Sequence, residues 1–553
     1  MKFEQFLQSN KNEQVWSMLE FWAIHRPLKT ALVDYRSTDK IKPSRTFAGL
    51  YHKACGIVSG LIMLGAAPQS KALIFLRPSL DFHPLIFALF RLGITPIFID
   101  PSMPRNEFLK AVKFLRPEII IAEPLAIWFS RFYSEDFASL SLSITSKKSL
   151  GLELPTLDDF PSTPGEEMAQ LPWPEKLQLA AILYTSGGTG IPKAVPYTHS
   201  IFWNQTLNLR ELFGLTEHDR DYPGFPLFSM FTLCLGMQSG ITQIDPRGPA
   251  RCNPQAVAQD LLESQATFAA GSPAIWEKVA RYAQAKAFHF PHLKFVTMFG
   301  ASVTLRLHRE WATLLPNGST YTPYGATEAL PVACISGSEI IRQFSTRTLE
   351  GQGTCVGRAA PGIEIAIIPI TDQILPPMEE LHRLTPGEVG EICVKGPVAT
   401  TEYLFQSEET ALSRVETKDG LWHRMGDLGY LDKSGLLWFM GRKKHRLEGI
   451  GPLLSTETVE ATYNDHPEIR RCALIWAKNP KGERVPTLAI ERTDGKRLCR
   501  KAAQQFEQHL FDFSAKNPQA RRVRHFVYVT KMPVDIRHNI KIDRQKLSAI
   551  YSL

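Results

Sequence analysis

The residues best suited to chemistry lie in a glycine-rich segment at residues 184–193, Tyr-Thr-Ser-Gly-Gly-Thr-Gly-Ile-Pro-Lys. Glycines let backbone N–H groups approach an anion, hydroxyls donate further hydrogen bonds, and a lysine supplies positive charge. This composition fits either a phosphate-binding loop or an ordinary glycine-rich turn. A Walker A loop is excluded, because that motif has glycine immediately before its lysine and Pro192 stands there.

The overall composition limits the class of protein to which this segment can belong. The chain has 553 residues, of which 44% are hydrophobic and 21% charged, and its formal net charge is +8. Such a chain can fill a large core, which excludes a mostly disordered protein. Because charges of both signs are spread along the sequence, the charge balance indicates a weakly basic surface and argues against a nucleic-acid-binding protein.

Cysteine usage and the apolar segments predict a cytoplasmic protein without a transmembrane segment. The eight cysteines include no C-x-x-C pair, so a zinc knuckle or thioredoxin-type motif is excluded. Scattered cysteines are typical of reduced core positions in intracellular proteins. The N-terminus has no apolar signal segment, and the most hydrophobic stretch, residues 73–98, is interrupted by charged side chains.

The elements that must position the glycine-rich segment alternate between two periodicities. Short apolar runs and helix-like stretches of about ten residues succeed one another over residues 72–123. The apolar runs return at residues 179–186, 266–272 and 294–300. This alternation predicts βαβ units around a mainly parallel sheet, so the expected fold class is α/β.

The pattern changes after residue 350. Short alternating strands punctuated by glycine predict an antiparallel β region, with a hairpin turn at residues 432–435. From residue 455 onward, helical and strand-like segments fit a compact α+β unit. We place a boundary near residues 441–444, which predicts one domain of residues 1–441 and a second of residues 442–553.

Other segments accompany the glycine-rich one, in order along the chain. They are residues 324–328 (Tyr-Gly-Ala-Thr-Glu), 390–396 (Gly-Glu-Ile-Cys-Val-Lys-Gly), 426–429 (Gly-Asp-Leu-Gly), 441–444 (Gly-Arg-Lys-Lys) and 539–544 (Asn-Ile-Lys-Ile-Asp-Arg). Together they resemble the ordered motifs of the adenylate-forming superfamily, which includes acyl-CoA synthetases, luciferases and peptide-synthetase adenylation domains. The resemblance implies a large N-terminal domain of stacked α/β sheets plus a β region, followed by a small, mobile C-terminal α+β domain.

The resemblance also implies a nucleotide site for ATP. The residues expected to bind the nucleotide are Thr185, Ser186, Gly187, Gly188, Thr189, Gly190, Lys193, Tyr324, Gly325, Ala326, Asp427 and Arg442. Residues 186–190 with Lys193 would hold the β- and γ-phosphates. Tyr324 would stack on adenine, and Asp427 would accept hydrogen bonds from the ribose hydroxyls with support from Arg442.

Three residues are expected to act where the substrate carboxylate reacts. Lys541 would reach from the small domain to the carboxylate and the α-phosphate, and would stabilise charge as pyrophosphate leaves. Thr327 would hydrogen-bond the forming acyl phosphate, while Glu328 and Thr189 would bind Mg²⁺, which prefers oxygen ligands. Taken singly, each residue also fits a structural role, such as a turn aspartate for Asp427 or a solvated charge for Lys541.

Departures from the superfamily pattern indicate one subgroup. Gly188 replaces a usual hydroxyl residue, Ser229 replaces a bulky aromatic or histidine, and the segment after Gly441 lacks a clear counterpart of the residues that shape the thioester-forming state. Residues 322–333, 441–446 and 537–544 are similar to the β-lactone synthetases of bacterial olefin biosynthesis, often labelled fatty-acid CoA ligases. That resemblance implies activation of a long-chain 2-alkyl-3-hydroxy fatty acid as acyl-AMP, followed by attack of the 3-hydroxyl to close a β-lactone.

An acyl site for such a substrate should be apolar, since each buried CH₂ contributes about 0.8 kcal/mol. We expect it to include Phe228, Met230, Gly271 and Gly300, with simple core packing as the alternative for each. The resemblance further implies thiolase-like, reductase and hydrolase-like proteins of the olefin pathway as partners. Two other functions stay open: a long-chain acyl-CoA synthetase or carrier-protein ligase, and a non-catalytic binding protein on this fold.

Overall fold

The alternating apolar runs pair as strands of two mainly parallel sheets. The computed structural model describes residues 2–100, 103–161, 168, 170–185, 192–449, 451–479, 481–496, 498–534 and 542–551. Strands β1 to β13 are, in order, Thr30–Asp34, Ser44–Thr46, Lys71–Phe75, Thr95–Ile99, Ile119–Ala122, Leu142–Thr145, Leu179–Thr185, Lys193–Thr198, Arg220–Pro223, Gln238–Ile241, Phe268–Gly271, Phe295–Met298 and Ser319–Tyr321.

The two sheets differ in strand order but share their parallel character. The first, six-stranded sheet has the order β6-β5-β3-β4-β7-β8 and is parallel except for β8. The second, seven-stranded sheet has the order β13-β12-β11-β9-β10-β1-β2 and is parallel except for β2. Parallel neighbours need a crossover connection, which is why helical stretches separate the apolar runs in the sequence.

Helices cover both faces of each sheet. Helices α1 to α11 are, in order, Phe3–Ser9, Val15–His25, Phe47–Met63, Phe82–Leu92, Arg105–Leu115, Pro124–Phe132, His199–Phe213, Ser229–Cys234, Pro254–Glu263, Pro273–Ala285 and Leu305–Ala312. The largest core cluster joins α2, α3, α4, α7 and α8 to residues of both sheets, so these helices lie between the sheets. Helices α5 and α6 cover the outer face of the first sheet, and α9, α10 and α11 that of the second. The predicted α/β class is confirmed.

The region after residue 323 forms an antiparallel sheet. Its strands β14 to β21 are Tyr324–Ala326, Ala329–Cys334, Thr354–Ala359, Glu364–Ile368, Gly390–Lys395, Arg414–Thr417, Gly420–Leu431 and Leu437–Arg442, and helices α12 to α14 are Gly337–Glu339, Ser345–Leu349 and Ser407–Ser413. The hairpin turn predicted at residues 432–435 joins β20 to β21, because the Asp432 carboxylate accepts from the backbone N–H groups of Ser434 and Leu436. The register of this hairpin sets Asp427 opposite Arg442.

The C-terminal part forms a small α+β unit against the rest of the chain. It contains β22 to β24 at Ile469–Lys478, Arg484–Arg492 and His525–Val529, and α15 to α17 at Thr456–Asn464, Arg500–Phe513 and Arg544–Tyr551. Arg309 Nη1 donates to both carboxylate oxygens of Asp465 at 2.7 and 2.9 Å, which joins α11 to this unit. The domain boundary after residue 441 and the mobility of the second domain stay predictions.

A helix that crosses a bilayer must be both long and apolar along most of its length. Within the described ranges, no helix combines these two properties.

Candidate functional site

A cavity of about 2090 Å³ lies between the antiparallel sheet, the ends of the parallel strands and the C-terminal unit. Many residues singled out from the sequence meet on its wall, although they come from distant parts of the chain. They are Lys193, Phe228, Gly300, Tyr324, Gly325, Ala326, Thr327, Glu328, Asp427 and Arg442. The cavity is therefore the candidate site.

Other predicted site residues lie elsewhere or outside the described residues. The undescribed ones are Ser186, Gly187, Gly188, Thr189, Gly190 and Lys541. Thr185 ends β7 and pairs with Lys193 between adjacent strands of the first sheet.

Met230 is packed in the core between the sheets, because α8 directs it away from the cavity. At Gly271, a β-carbon would lie only 3.2 Å from Ile275 and 3.3 Å from Trp276, behind the wall. Neither Met230 nor Gly271 lines the cavity.

Asp427 lies on the cavity wall with its side chain almost fully buried. The Tyr324 hydroxyl donates to its Oδ2 at 2.7 Å, and Arg442 Nη1 forms an ion pair with its Oδ1 at 3.1 Å. Among the described residues, no donor makes a hydrogen bond to Oδ1. Burial raises the pKa of Asp427, while Arg442 and the Tyr324 hydrogen bond act in the opposite direction. An incompletely bonded acceptor on a cavity wall suits a hydrogen-bond donor from a ligand.

Tyr403 connects two residues that the sequence motifs place far apart. Its hydroxyl donates to Glu328 Oε1 at 2.6 Å, and its ring centroid lies 4.3 Å from Lys193 Nζ. The same Nζ lies 2.7 Å from Glu409 Oε2. Burial, then the charge of Glu328, raises the pKa of Tyr403, so its phenol remains a donor at neutral pH. Tyr403 and Glu409 thus fix the carboxylate and the ammonium group on one side of the cavity.

Backbone carbonyls beside the predicted motifs are held by side chains from other elements. Tyr197 donates to the carbonyl of Thr327 at 2.6 Å, and Gln205 Nε2 donates to that of Leu330 at 2.9 Å. Gln406 Nε2 donates to the carbonyl of Pro192, near the end of the glycine-rich segment, at 3.1 Å. These hydrogen bonds restrain the wall on which a ligand would rest.

Sequence reasoning missed Tyr197, Gln205, Tyr403 and Gln406. The sequence offered one signal for two of them, their closeness to a recognised motif. Tyr197 follows Lys193 by four residues, and Tyr403 follows Gly396 by seven. Proximity to a motif does not say which side chain turns towards the cavity, because that depends on the neighbouring strands.

The C-terminal unit closes the cavity with positively charged residues. Ile542 and Arg544, which follow the predicted Lys541, line the cavity together with Lys444 of the 441–444 motif. Asp543 N donates to the carbonyl of Pro533 at 2.9 Å. The residues next to the undescribed segment 535–541 are therefore held at the cavity wall, where positive charge suits an anionic ligand.

Another part of the cavity wall is apolar and aromatic. Phe228 stacks on Phe299 with ring centroids 5.5 Å apart and contacts Phe231 edge-on at 5.6 Å. Phe202 and Phe213 of α7 continue this wall. The arrangement joins a polar, charged region to a surface that can bury alkyl chains.

The chain is similar to known proteins over most of its length. The AMP-binding enzyme family matches residues 19–404. An olefin β-lactone synthetase of Xanthomonas campestris is 34% identical over 91% of this chain and 90% of the relative, and one of Stenotrophomonas maltophilia is 35% identical over 89% and 88%.

Solved structures show the same fold at lower identity. The anthranilate CoA ligase AuaEII in complex with anthranoyl-AMP has a TM-score of 0.79 at 19% identity, covering 97% of both chains. ATP-bound MatB from Rhodopseudomonas palustris has a TM-score of 0.77 at 19% identity, covering 98% of this chain and 99% of its own. The motif-based prediction of an adenylate-forming enzyme is confirmed: this chain belongs to the AMP-binding enzyme family.

Proposed function

We propose that this enzyme is a β-lactone synthetase that uses ATP to activate a long-chain 2-alkyl-3-hydroxy fatty acid. The observation that carries the proposal is the single cavity, whose wall contains both Asp427 with a group of cations and a set of aromatic side chains. The two relatives named olefin β-lactone synthetase support it, since each matches about nine tenths of the chain.

The polar part of the cavity wall would hold the nucleotide. Asp427 Oδ1 would accept from a ribose hydroxyl, and Arg442 would keep that carboxylate ionised. Lys193 and residues 186–190 would bind the phosphates. Glu328, oriented by Tyr403, is a carboxylate that fits Mg²⁺, and Thr189 would assist it. When bound, Mg²⁺ would neutralise phosphate charge.

The first step would join the fatty acid to AMP. A carboxylate oxygen attacks the α-phosphorus of ATP, the bond to the β-phosphate breaks, and pyrophosphate leaves with the bonding electrons. Lys541 would stabilise the negative charge in this transition state, and Thr327 would hydrogen-bond the acyl phosphate. This step converts a carboxylate oxygen, which is a poor leaving group, into AMP, which is a good one.

The second step would need no further cosubstrate. The 3-hydroxyl oxygen of the substrate attacks the activated carbonyl, the acyl–phosphate bond breaks, AMP leaves, and the hydroxyl proton is released. Holding both groups in one cavity makes the attack intramolecular, an effect worth about 7–11 kcal/mol in well-oriented systems. The aromatic wall around Phe228 would hold the alkyl chains; Gly300 would border them, while Met230 and Gly271 would not contact them.

The chemistry of substrate and product indicates the expected partners. A 2-alkyl-3-hydroxy acid arises from condensation of two acyl chains and reduction of a ketone, and a β-lactone yields an alkene by loss of CO₂. Thiolase-like, reductase and hydrolase-like proteins would supply these reactions. Residues 442–553 would act as the lid domain of this enzyme.

The proposal is tested by product analysis with and without CoA. The enzyme is incubated with ATP, Mg²⁺ and a synthetic 2-alkyl-3-hydroxy fatty acid, and AMP and lactone are measured by chromatography and mass spectrometry. We expect equal lactone with and without CoA. The matched 2-alkyl acid lacking the 3-hydroxyl should give acyl-AMP and no lactone. A CoA thioester, with no lactone when CoA is omitted, would instead establish an acyl-CoA synthetase.

A further inference from the structure

One face of α6 presents large apolar side chains to solvent. Leu125, Trp128 and Phe132 are 82%, 45% and 80% exposed, and their spacing of three and four residues places them on the same face of the helix. Leu150, which is 99% exposed, precedes Gly151, where a β-carbon would lie 3.3 Å from the Trp128 ring. We call these four side chains the α6 patch. A cluster of this kind marks a docking surface.

The α6 patch is continuous with the cavity of the candidate site. Ala126 and Phe129 of the same helix line the cavity, and so does Leu125. Because Leu125 is both exposed and on the cavity wall, the cavity opens beside the patch. Phe108 and Phe137 extend the apolar wall inward from this opening.

Basic side chains lie beside the α6 patch, together with the exposed acidic residues Glu135 and Glu153. The Arg131 guanidinium lies 5.4 Å from the Trp128 ring centroid, and that of Arg105 lies 5.9 Å from the Tyr133 ring and borders the cavity. Lys147 and Lys148 are exposed on the turn that carries Leu150. Lys148 forms an ion pair with Asp159 at 3.4 Å and keeps 83% of its side chain in solvent.

We propose that the α6 patch docks on an anionic lipid surface, and that acyl chains enter the cavity from that surface at Leu125. Tryptophan, phenylalanine and leucine beside arginine and lysine are the composition of helices that lie in a membrane interface. A lipid occupant explains both the basic border and the opening into an apolar cavity, whereas a protein partner would require neither. The docking step stands on these contacts, and only the identity of the entering chain rests on the proposed function.

Vesicle flotation tests the docking step without any enzymatic assay. The full chain is mixed with vesicles of phosphatidylcholine alone or of phosphatidylcholine with phosphatidylglycerol, and the floating fraction is measured at low and high salt. We expect binding to the anionic vesicles, a weakening of that binding by salt, and little binding to phosphatidylcholine alone. Replacing Trp128, Phe132 and Leu150 together by serine should reduce the partition coefficient about tenfold or more.

Matched variants separate docking from misfolding. Ile24→Ser combined with Leu28→Ser removes exposed apolar side chains elsewhere and should bind vesicles as the wild type does. If the triple variant misfolds, Phe132→Ser alone serves as the test, because Phe132 is highly exposed and its replacement should not disturb folding. We expect this single variant to weaken flotation as well. Charge reversal at Arg131, Lys147 and Lys148 should abolish the preference for anionic vesicles.

The proposal is overturned if the triple variant and the Ile24/Leu28 control float equally. It is also overturned if the triple variant alters only the oligomeric state measured by light scattering, because the α6 patch would then be a contact between copies of the chain. ATP–pyrophosphate exchange with a short, water-soluble 3-hydroxy acid should be the same in the wild type and the triple variant. If the wild type forms neither acyl-AMP nor lactone from the long-chain 2-alkyl-3-hydroxy acid while flotation still depends on the patch, the proposed function falls and the docking surface stands.

Discussion

Arg544 Nη2 lies 2.7 Å from Oε1 and 2.6 Å from Oε2 of Glu460. Glu460 lies on α15, the helix whose Glu457 accepts hydrogen bonds from Ser302 at 3.1 Å and Thr354 at 2.8 Å in the larger part of the chain. One helix therefore contacts both the body and the residues that follow Lys541. The ion pair holds Arg544, three residues after Lys541, against α15, and we predict that it supports the role proposed for Lys541.

Replacing Arg544 by methionine should slow formation of the acyl-adenylate. We expect kcat for ATP–pyrophosphate exchange to fall about tenfold or more, equivalent to about 1.4 kcal/mol of transition-state stabilisation, with little change in the KM for ATP. Arg544→Lys should recover part of the rate. Arg524→Met is the control, since Arg524 packs over Phe511 outside the cavity. Equal losses in Arg544→Met and Arg524→Met would contradict the positioning role.

The same pair predicts a pH dependence of adenylation. Burial raises the pKa of Glu460 to about 7, with Arg544 lowering it and neighbouring Glu457 raising it. The ionised form, present above pH 7, holds Arg544, so the rate should fall as pH decreases through 7. In Glu460→Gln the rate should be low throughout and this acidic limb absent. If the rate of Glu460→Gln fell with decreasing pH as the wild-type rate does, the titrating group would be another residue.

Tyr403→Phe should raise the Mg²⁺ concentration needed for half-maximal activity. The substitution removes the donor that orients Glu328, and a hydrogen bond to a charged group contributes about 1.5–3 kcal/mol. Tyr430→Phe is the matched control, because it removes a hydroxyl that donates to the Gln352 carbonyl at 3.1 Å, away from the cavity. Magnesium titrations that coincide for the two variants would argue against a role for Tyr403 at the metal site.

Asp427→Asn should weaken nucleotide binding. The amide keeps the shape of the side chain but loses the charge that pairs with Arg442, and we expect the Kd for AMP to rise about 10- to 100-fold, or about 1.4–2.7 kcal/mol. Calorimetric titration with AMP measures this directly. Asp419→Asn, on an exposed turn of the same sheet, should leave the Kd unchanged. An unaltered Kd in Asp427→Asn would remove this residue from the nucleotide site.

Arg424→Met should destabilise the antiparallel sheet. The Arg424 and Glu391 side chains are each 1% exposed and lie 2.7 Å apart. Removing one partner of a buried pair costs about 3–5 kcal/mol, because the remaining charge loses its compensation. Lys443 Nζ lies 2.9 Å from Glu391 and still compensates part of its charge. We therefore expect the loss in free energy of unfolding to be about 3 kcal/mol. Lys418→Met breaks an exposed pair with Glu379 and should cost about 0–1 kcal/mol in the same urea titration. Similar losses in both variants would contradict this explanation.

Local periodicity and residue type determined much of the fold. The predicted strands and helices between residues 72 and 123, the hairpin turn at residues 432–435 and the mixture of helices and strands after residue 455 all match the structure. Each of these features depends on side chains close together in sequence, where alternation, helical spacing and turn residues act directly. The ordered motifs likewise identified the family, because each motif is a short continuous segment whose residue types can be read without knowing its neighbours in space.

Contacts between distant segments were decided only by the tertiary structure. Tyr403 reaches Glu328, and Glu460 reaches Arg544, because separate sheets and helices pack side by side. The direction of Met230, into the core instead of the cavity, depends on how α8 packs between the sheets. Helix α6 makes the same point, since its sequence is apolar on both faces and packing against the first sheet buries one face while leaving the other in solvent. A linear pattern specifies which residues share a face, but which face meets a neighbour is set by the packing of the whole chain.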